Sequence, residues 1–254
     1  MGGNILCRQP VAAVPYYIES VQLNIYSTEE LCWLLLHEPE LADETVLNKN
    51  LAKWLEEECR LPNTGRELAP IVAVKGREEA ALTFLFRKCG YFYGPSEKKA
   101  IESIGRFFGM SEHDRLKRKG DSLVRHKMYE SAIETYGNVL EIVGKNKYLS
   151  EFRADVYYDL GCANAGLFRM STAAAYFRKA YELNPIPEIR KGYLCAVYLE
   201  KGREGFRKEA DECGMPREEA SKMLLEFATI DVPELPADIN AQIDRWVAEY
   251  HECN

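Results

Sequence analysis

The residue types that most often carry chemistry are scattered in this chain. Its four histidines, His37, His113, His126 and His251, lie far apart, and the first three sit in charged surroundings with no serine or cysteine at motif spacing. Nucleophilic catalysis needs a base held by an orienting partner, and no local pattern supplies one. Eight cysteines, Cys7, Cys32, Cys59, Cys89, Cys162, Cys195, Cys213 and Cys253, include no CxxC pair, and the closest Cys/His neighbours are His251 and Cys253. A structural zinc site needs four ligands at recurrent spacings, so no metal is expected. Carboxylate runs such as Glu56–Glu58 and Glu218–Glu219 fall on helical faces and read as solvation. Neither GxxxxGK[ST] nor GxGxxG occurs, so the loops that cradle phosphates are missing and no cofactor is expected. One run stands out. From Arg115 to Lys127 the chain carries Arg115, Lys117, Arg118, Lys119, Arg125 and Lys127 against Asp121 alone. Such a run is either a solvated helix face or a seat for an acidic partner. A nucleic-acid seat would want interleaved aromatic platforms, and these are not there.

The whole chain is acidic: 33 Lys+Arg against 40 Asp+Glu give 254 residues a formal net charge of −7. It therefore lacks the general basic field of nucleic-acid binders. At 46% hydrophobic it has ample material for a core, which excludes wholesale disorder. No apolar run approaches the roughly 20 residues that cross a bilayer. Pro10 and Pro15 break up the first residues, so no secretory leader is expected. Cysteines set in apolar helical stretches, such as Cys32 in ELCWLLL and Cys195 in YLCAVYL, read as reduced structural thiols, which points to the cytoplasm.

The elements that must position these residues are almost all helical. Residues 1–26 are irregular; Val21, Leu23 and Ile25 alternate with polar residues and can pair with Tyr16–Ile18 as a short β hairpin. Ser27 to Glu30 form a capping box opening a buried helix that Pro39 ends. A second helix is predicted from Asp43 towards Cys59, and Thr64 with Glu67 form another capping box. Two more helices follow, from Arg77 to Cys89 and from Ser96 to Phe108. Later, Pro216 opens a helix to Thr229, and Asp238 caps a last one carrying Ile239, Ile243, Val247 and Tyr250 on one side.

Residues 154–187 place Tyr157, Leu160, Gly161, Ala173, Phe177, Ala180 and Pro185 at positions 4, 7, 8, 20, 24, 27 and 32 of their unit. The pattern resembles the tetratricopeptide repeat, a helical hairpin of 34 residues. The same register from 113 holds Leu116, Gly120, Tyr129, Ala132 and Tyr136 at positions 4, 8, 17, 20 and 24. Residues 147–153 are extra and should lengthen the helix leading into the second unit. A degenerate third unit from 188 keeps Leu194, Tyr198 and Gly202 but has Arg207 where a small residue is wanted. The resemblance covers about 113–205. It implies an all-α helical-hairpin superhelix or solenoid, with residues 1–110 a mostly helical region and residues 111–254 the repeats plus C-terminal capping helices.

In that family, certain positions of the first helix of each pair line a concave groove. Here those positions hold Lys117, Arg118, Asp121 and Arg125 in the first unit, Tyr158 and Asp159 in the second and Tyr193 in the third. The resemblance thus implies a non-enzymatic scaffold that binds a protein or peptide partner; by charge, platforms and apolar runs, neither nucleic acid nor a membrane is its expected partner. One subclass clamps the C-terminal carboxylates of chaperones with Lys and Asn in the first unit, Asn in the second and Lys and Arg in the third. The corresponding residues here are Lys117, Asp121, Asp159, Ile189 and Tyr193, of which only Lys117 matches. An ionised Asp accepts hydrogen bonds only and repels a carboxylate, so no such clamp is expected. Two other classes of function remain open on the sequence: a regulator with an effector or nucleic-acid site in the N-terminal half, and an enzyme whose site is assembled from distant residues.

Overall fold

A computed structural model describes residues 11–89, 91–92, 94–228 and 239–252. They form an all-α helical-repeat fold of twelve α-helices, with one two-stranded antiparallel hairpin near the start. The chain divides into two compact units, residues up to Glu200 and residues from Lys201.

The hairpin pairs β1 (Tyr16–Ile18) with β2 (Leu23–Ile25), Tyr16 opposite Ile25. Its period-2 pattern buries Tyr16 and Ile18 and exposes Tyr17. Val21, expected in the strand, sits instead in a 3-10 turn, because Gln22 takes a left-handed conformation (φ 53°) that closes the hairpin there. Side-chain hydrogen bonds fasten the hairpin and the residues before it to residues further along the chain. Tyr16 donates to the Val46 carbonyl at 2.8 Å and Trp54 Nε1 to the Val14 carbonyl at 2.8 Å. Burial pushes the Tyr16 phenol up to about 12.

α1 (Thr28–His37) starts at the expected box: Ser27 Oγ accepts from the Glu30 amide at 3.2 Å. The Glu30 carboxylate reaches one residue further back than a standard box, to the Tyr26 amide at 2.6 Å. Two helix starts differ from expectation. α2 is Lys49–Glu57, since Asp43 is spent on a local turn to Thr45 and Asn48 takes the cap, accepting from the Asn50 and Leu51 amides. α3 (Pro62–Val72) begins with Pro62, whose fixed φ suits a first helical position, which leaves Thr64 inside the first turn rather than before it. α4 (Glu78–Lys88) and α5 (Pro95–Phe108) follow. Leu31, Leu35, Leu51, Leu55, Leu82 and Phe86 from α1, α2 and α4 make the centre of the core.

The repeats are α6 (Glu112–Arg125) with α7 (Tyr129–Val143), and α8 (Ser150–Gly166) with α9 (Met170–Leu183). In both hairpins a glycine at position 8 faces an aromatic ring at position 24. A Cβ on Gly120 would meet Tyr136 at 2.4 Å, and one on Gly161 would meet Phe177 at 2.6 Å. Ala132, Ala173 and Ala180 are buried, as close helix approach requires. Both hairpins turn through a left-handed residue at position 15, Lys127 (φ 62°) and Phe168 (φ 58°). The residues after them donate back across the turn, Met128 to Leu123 and Arg169 to Asn164. Of the extra residues, 147–149 form a 3-10 turn and 150–153 add a helical turn to α8, where Phe152 packs edge-on against His113 at 5.1 Å.

α10 (Pro187–Glu212) is interrupted at Gly202, whose φ of 68° puts a positive-φ residue at position 15 of the third unit too. Within the unit from Lys201, Phe206 stands edge-on to Phe227 of α11 (Arg217–Ala228) at 5.9 Å. In α12 (Ile239–Glu252), the side chains of Ile243, Trp246 and Val247 are exposed. Its expected cap, Asp238, lies outside the described residues. None of the six described cysteines is in a disulfide: Cys32, Cys59 and Cys89 are buried, and Cys162, Cys195 and Cys213 half-buried.

Candidate functional site

The basic run from Arg115 lies on α6, and most of its cations already face carboxylates of this chain. Lys117 Nζ stands 2.8 Å from Asp159 Oδ2 on α8 and 3.1 Å from Asp121 Oδ2 one turn on. Tyr136 of α7 donates to Asp121 Oδ1 at 2.8 Å. Three helices of two repeats thus meet at one ammonium, two carboxylates and a phenol. Burial alone would lower the Lys117 pKa, but Asp159 and Asp121 outweigh it and hold the ammonium above its ordinary value. Burial pushes the Asp159 carboxyl up, and nearby Asp121 and Asp155 add to that against the pull of Lys117. Burial, with Asp159 and Asp121 beside it, also raises the Tyr136 phenol.

Arg118, Lys119 and Arg125 point to the segment between α1 and α2, where a 3-10 turn (Pro39–Leu41) packs against α6. Arg125 Nη2 is 3.2 Å from Glu40 Oε1 and 3.6 Å from Glu38 Oε2. Arg118 Nη2 is 3.8 Å from Glu40 Oε2, and its guanidinium lies over the Phe107 ring at 5.5 Å. Lys119 Nζ reaches Asp43 Oδ2 at 2.6 Å. The Arg118 and Arg125 side chains are 46% and 59% exposed, whereas that of Glu40 is 2% exposed. Its carboxyl is accordingly pushed up by burial, with the two guanidiniums opposing. Burial also acts to raise Asp43, but hydrogen bonds from Lys119 and Thr45 win and leave it below the usual carboxylate value.

Ser122 and His126 come together with Glu38, yet not as a catalytic relay. The Ser122 hydroxyl and His126 Nε2 both bond the Glu38 carboxylate, His126 at 3.0 Å. A relay needs the hydroxyl on the imidazole; here the carboxylate stands between them, and Ser122 is fully buried. Among the described residues, no group of three or more His, Cys, Asp or Glu side chains could hold a metal ion. No described helix is long and apolar enough to cross a membrane.

Of the residues singled out by sequence, Lys117, Asp121 and Asp159 are brought together, and Arg118 and Arg125 converge on Glu40. Tyr158 of α8 is half-buried with its ring 5.1 Å from Phe177, its phenol raised by burial and by nearby Cys162. Tyr193 is buried in α10. Sequence reasoning missed the acidic partners Glu38, Glu40 and Asp43. A signal was present: HEPELADE, residues 37–44, is as acid-rich as the run 115–127 is basic. As for the chaperone clamp, Asp121 and Asp159 both engage Lys117, the single matching cation.

Residues 154–187 match the tetratricopeptide repeat family model, so α8 and α9 together are such a repeat. Comparison with the curated proteins and with the solved structures returned no match.

Proposed function

We propose, from the tetratricopeptide repeat at 154–187, that the protein is a non-enzymatic scaffold whose partner is a protein or peptide held on the first helices of the repeats. The observation that carries this reading is the repeat itself, with Asp155, Tyr158 and Asp159 of α8 left partly open beside α6 rather than sealed in the core. Helical repeats present extended surfaces of this kind to other chains. In this reading residues 1–110 brace the start of the array, as the pairs from Glu38, Glu40 and Asp43 to α6 support, and residues 111–254 carry the partner. The free thiols fit a reducing compartment, and we place the protein in the cytoplasm on that basis. A photo-crosslinking residue at Tyr158, compared with one at exposed Glu182 on α9, tests the seat. Defined adducts from Tyr158 alone are expected in native lysate. Equal or stronger capture at Glu182 would refute the reading.

A further inference from the structure

Resting on that reading of the partner seat, we infer that the segment docked there is basic: lysine or arginine side chains set against Asp114, Asp155 and Asp159. The sequence alone suggested the opposite, an acidic segment drawn to Arg118 and Arg125. Those two guanidiniums are matched within the chain by Glu38 and Glu40. The turn that carries Glu40 cannot swing aside easily, since its neighbours Pro39 and Leu41 are buried and Leu41 belongs to the hydrophobic core. With these pairs made, α6 and α8 present Asp114, Asp121, Asp155 and Asp159, and Lys117 is shared between Asp121 and Asp159.

These carboxylates are reachable. Asp155 is exposed, and the side chains of Asp114, Asp121 and Asp159 are 41%, 39% and 25% exposed. One ammonium divided between two carboxylates leaves a surplus negative charge at the point where the two repeats join, and an incoming cation neutralises it. An acidic segment laid on the same surface would meet like charge at every one of these carboxylates.

The test is fluorescence anisotropy on the full chain with a short labelled peptide of alternating lysine and alanine, against its glutamate counterpart. The lysine peptide should bind, and more weakly as salt rises. Asp155→Asn with Asp159→Asn should weaken it about five- to tenfold, as two partly exposed charge pairs would. Glu218→Gln with Glu219→Gln on α11 should leave it within about twofold. Because burial holds the Asp159 carboxyl above its ordinary value, affinity should fall on acidification in the parent and less in the Asp155/Asp159 variant. Equal weakening by the two double variants would overturn the inference, reducing it to general attraction by an acidic chain. Binding of the glutamate peptide instead, lost in Arg125→Ala, would reverse the partner's sign while leaving the seat in place. Binding of neither peptide would also overturn it, and crosslinking from Tyr158 would still decide the seat on its own.

Discussion

Gly161 and Phe177 should be energetically coupled strongly enough to reverse the sign of a substitution. A methyl added at Gly161 would lie 2.6 Å from Cδ1 and Cε1 of Phe177 and 2.9 Å from Cγ. The ring has little room to withdraw, since Phe177 is buried, as are Ala173 and Ala180 on its own helix. Overpacking of this kind costs about 1–3 kcal/mol, against a helix-propensity gain of about 0.5–1 kcal/mol for replacing glycine. Gly161→Ala should therefore destabilise the parent by about 1–2 kcal/mol. Phe177→Ala, which leaves a cavity, should cost about 3–5 kcal/mol. In the Phe177→Ala background the obstacle is gone, the new methyl enters the void, and Gly161→Ala should stabilise by about 0.5–1 kcal/mol. The cycle then closes on a coupling of about 2 kcal/mol, far beyond the few tenths expected of independent sites. Urea denaturation of the four proteins, followed by far-UV circular dichroism, measures it. A Gly161→Ala protein more stable than its parent, or additive effects, would show that the two helices do not meet as described.

Phe168→Gly should stabilise by about 1 kcal/mol, since a bulky residue is held at φ 58° while its side chain, 86% exposed, has little packing to lose; a destabilised variant in thermal melts would contradict this. Asp43→Asn should lower stability at pH 7 by about 1 kcal/mol, the range of partly exposed pairs. Because the folded Asp43 carboxyl lies below its ordinary value, its contribution is full above the unfolded pKa of about 3.9 and is lost as pH falls through the folded value. The gap between parent and variant should therefore close on strong acidification, and a constant gap in urea melts would refute the assignment. Isothermal titration with an acidic chaperone-tail peptide should show no binding; micromolar affinity abolished by Lys117→Ala would prove the charge argument wrong.

The repeats were legible because their determinants are local and periodic. Small residues at positions 8 and 20 and a ring at position 24 recur within one hairpin, and the same positions proved to be in contact, as in Gly161 with Phe177. Helix starts were less legible because capping groups compete. The second helix was expected to run from Asp43 and the third to be capped by Thr64, yet Asn48 and Pro62 hold the starts of α2 and α3. The candidate site was half legible. The cations of α6 stood out as a run, but a run does not say what it faces. Its partners come from far along the chain, as Glu38 lies 88 residues before His126. Such pairings follow no period, and the acidic stretch 37–44 was the one clue in the sequence.

The placement of the thiols gives the chain a built-in clock for local opening. Cys32, Cys59 and Cys89 are sealed in the core around α1, α2 and α4, while Cys162 and Cys195 are half-buried on the repeat helices α8 and α10. A thiol-specific reagent supplied to the native protein can modify a sealed cysteine only during a fluctuation that uncovers it. Burial also holds Cys59 at about 12 and Cys162 at about 11, so the reactive thiolate is scarce in the closed state at neutral pH. Peptide mapping of the modified cysteines over time would then rank the openings of the core against those of the repeats in the unlabelled native chain. A partner that clamps α6 to α8 should slow modification of Cys162 and leave the pace at Cys59 untouched.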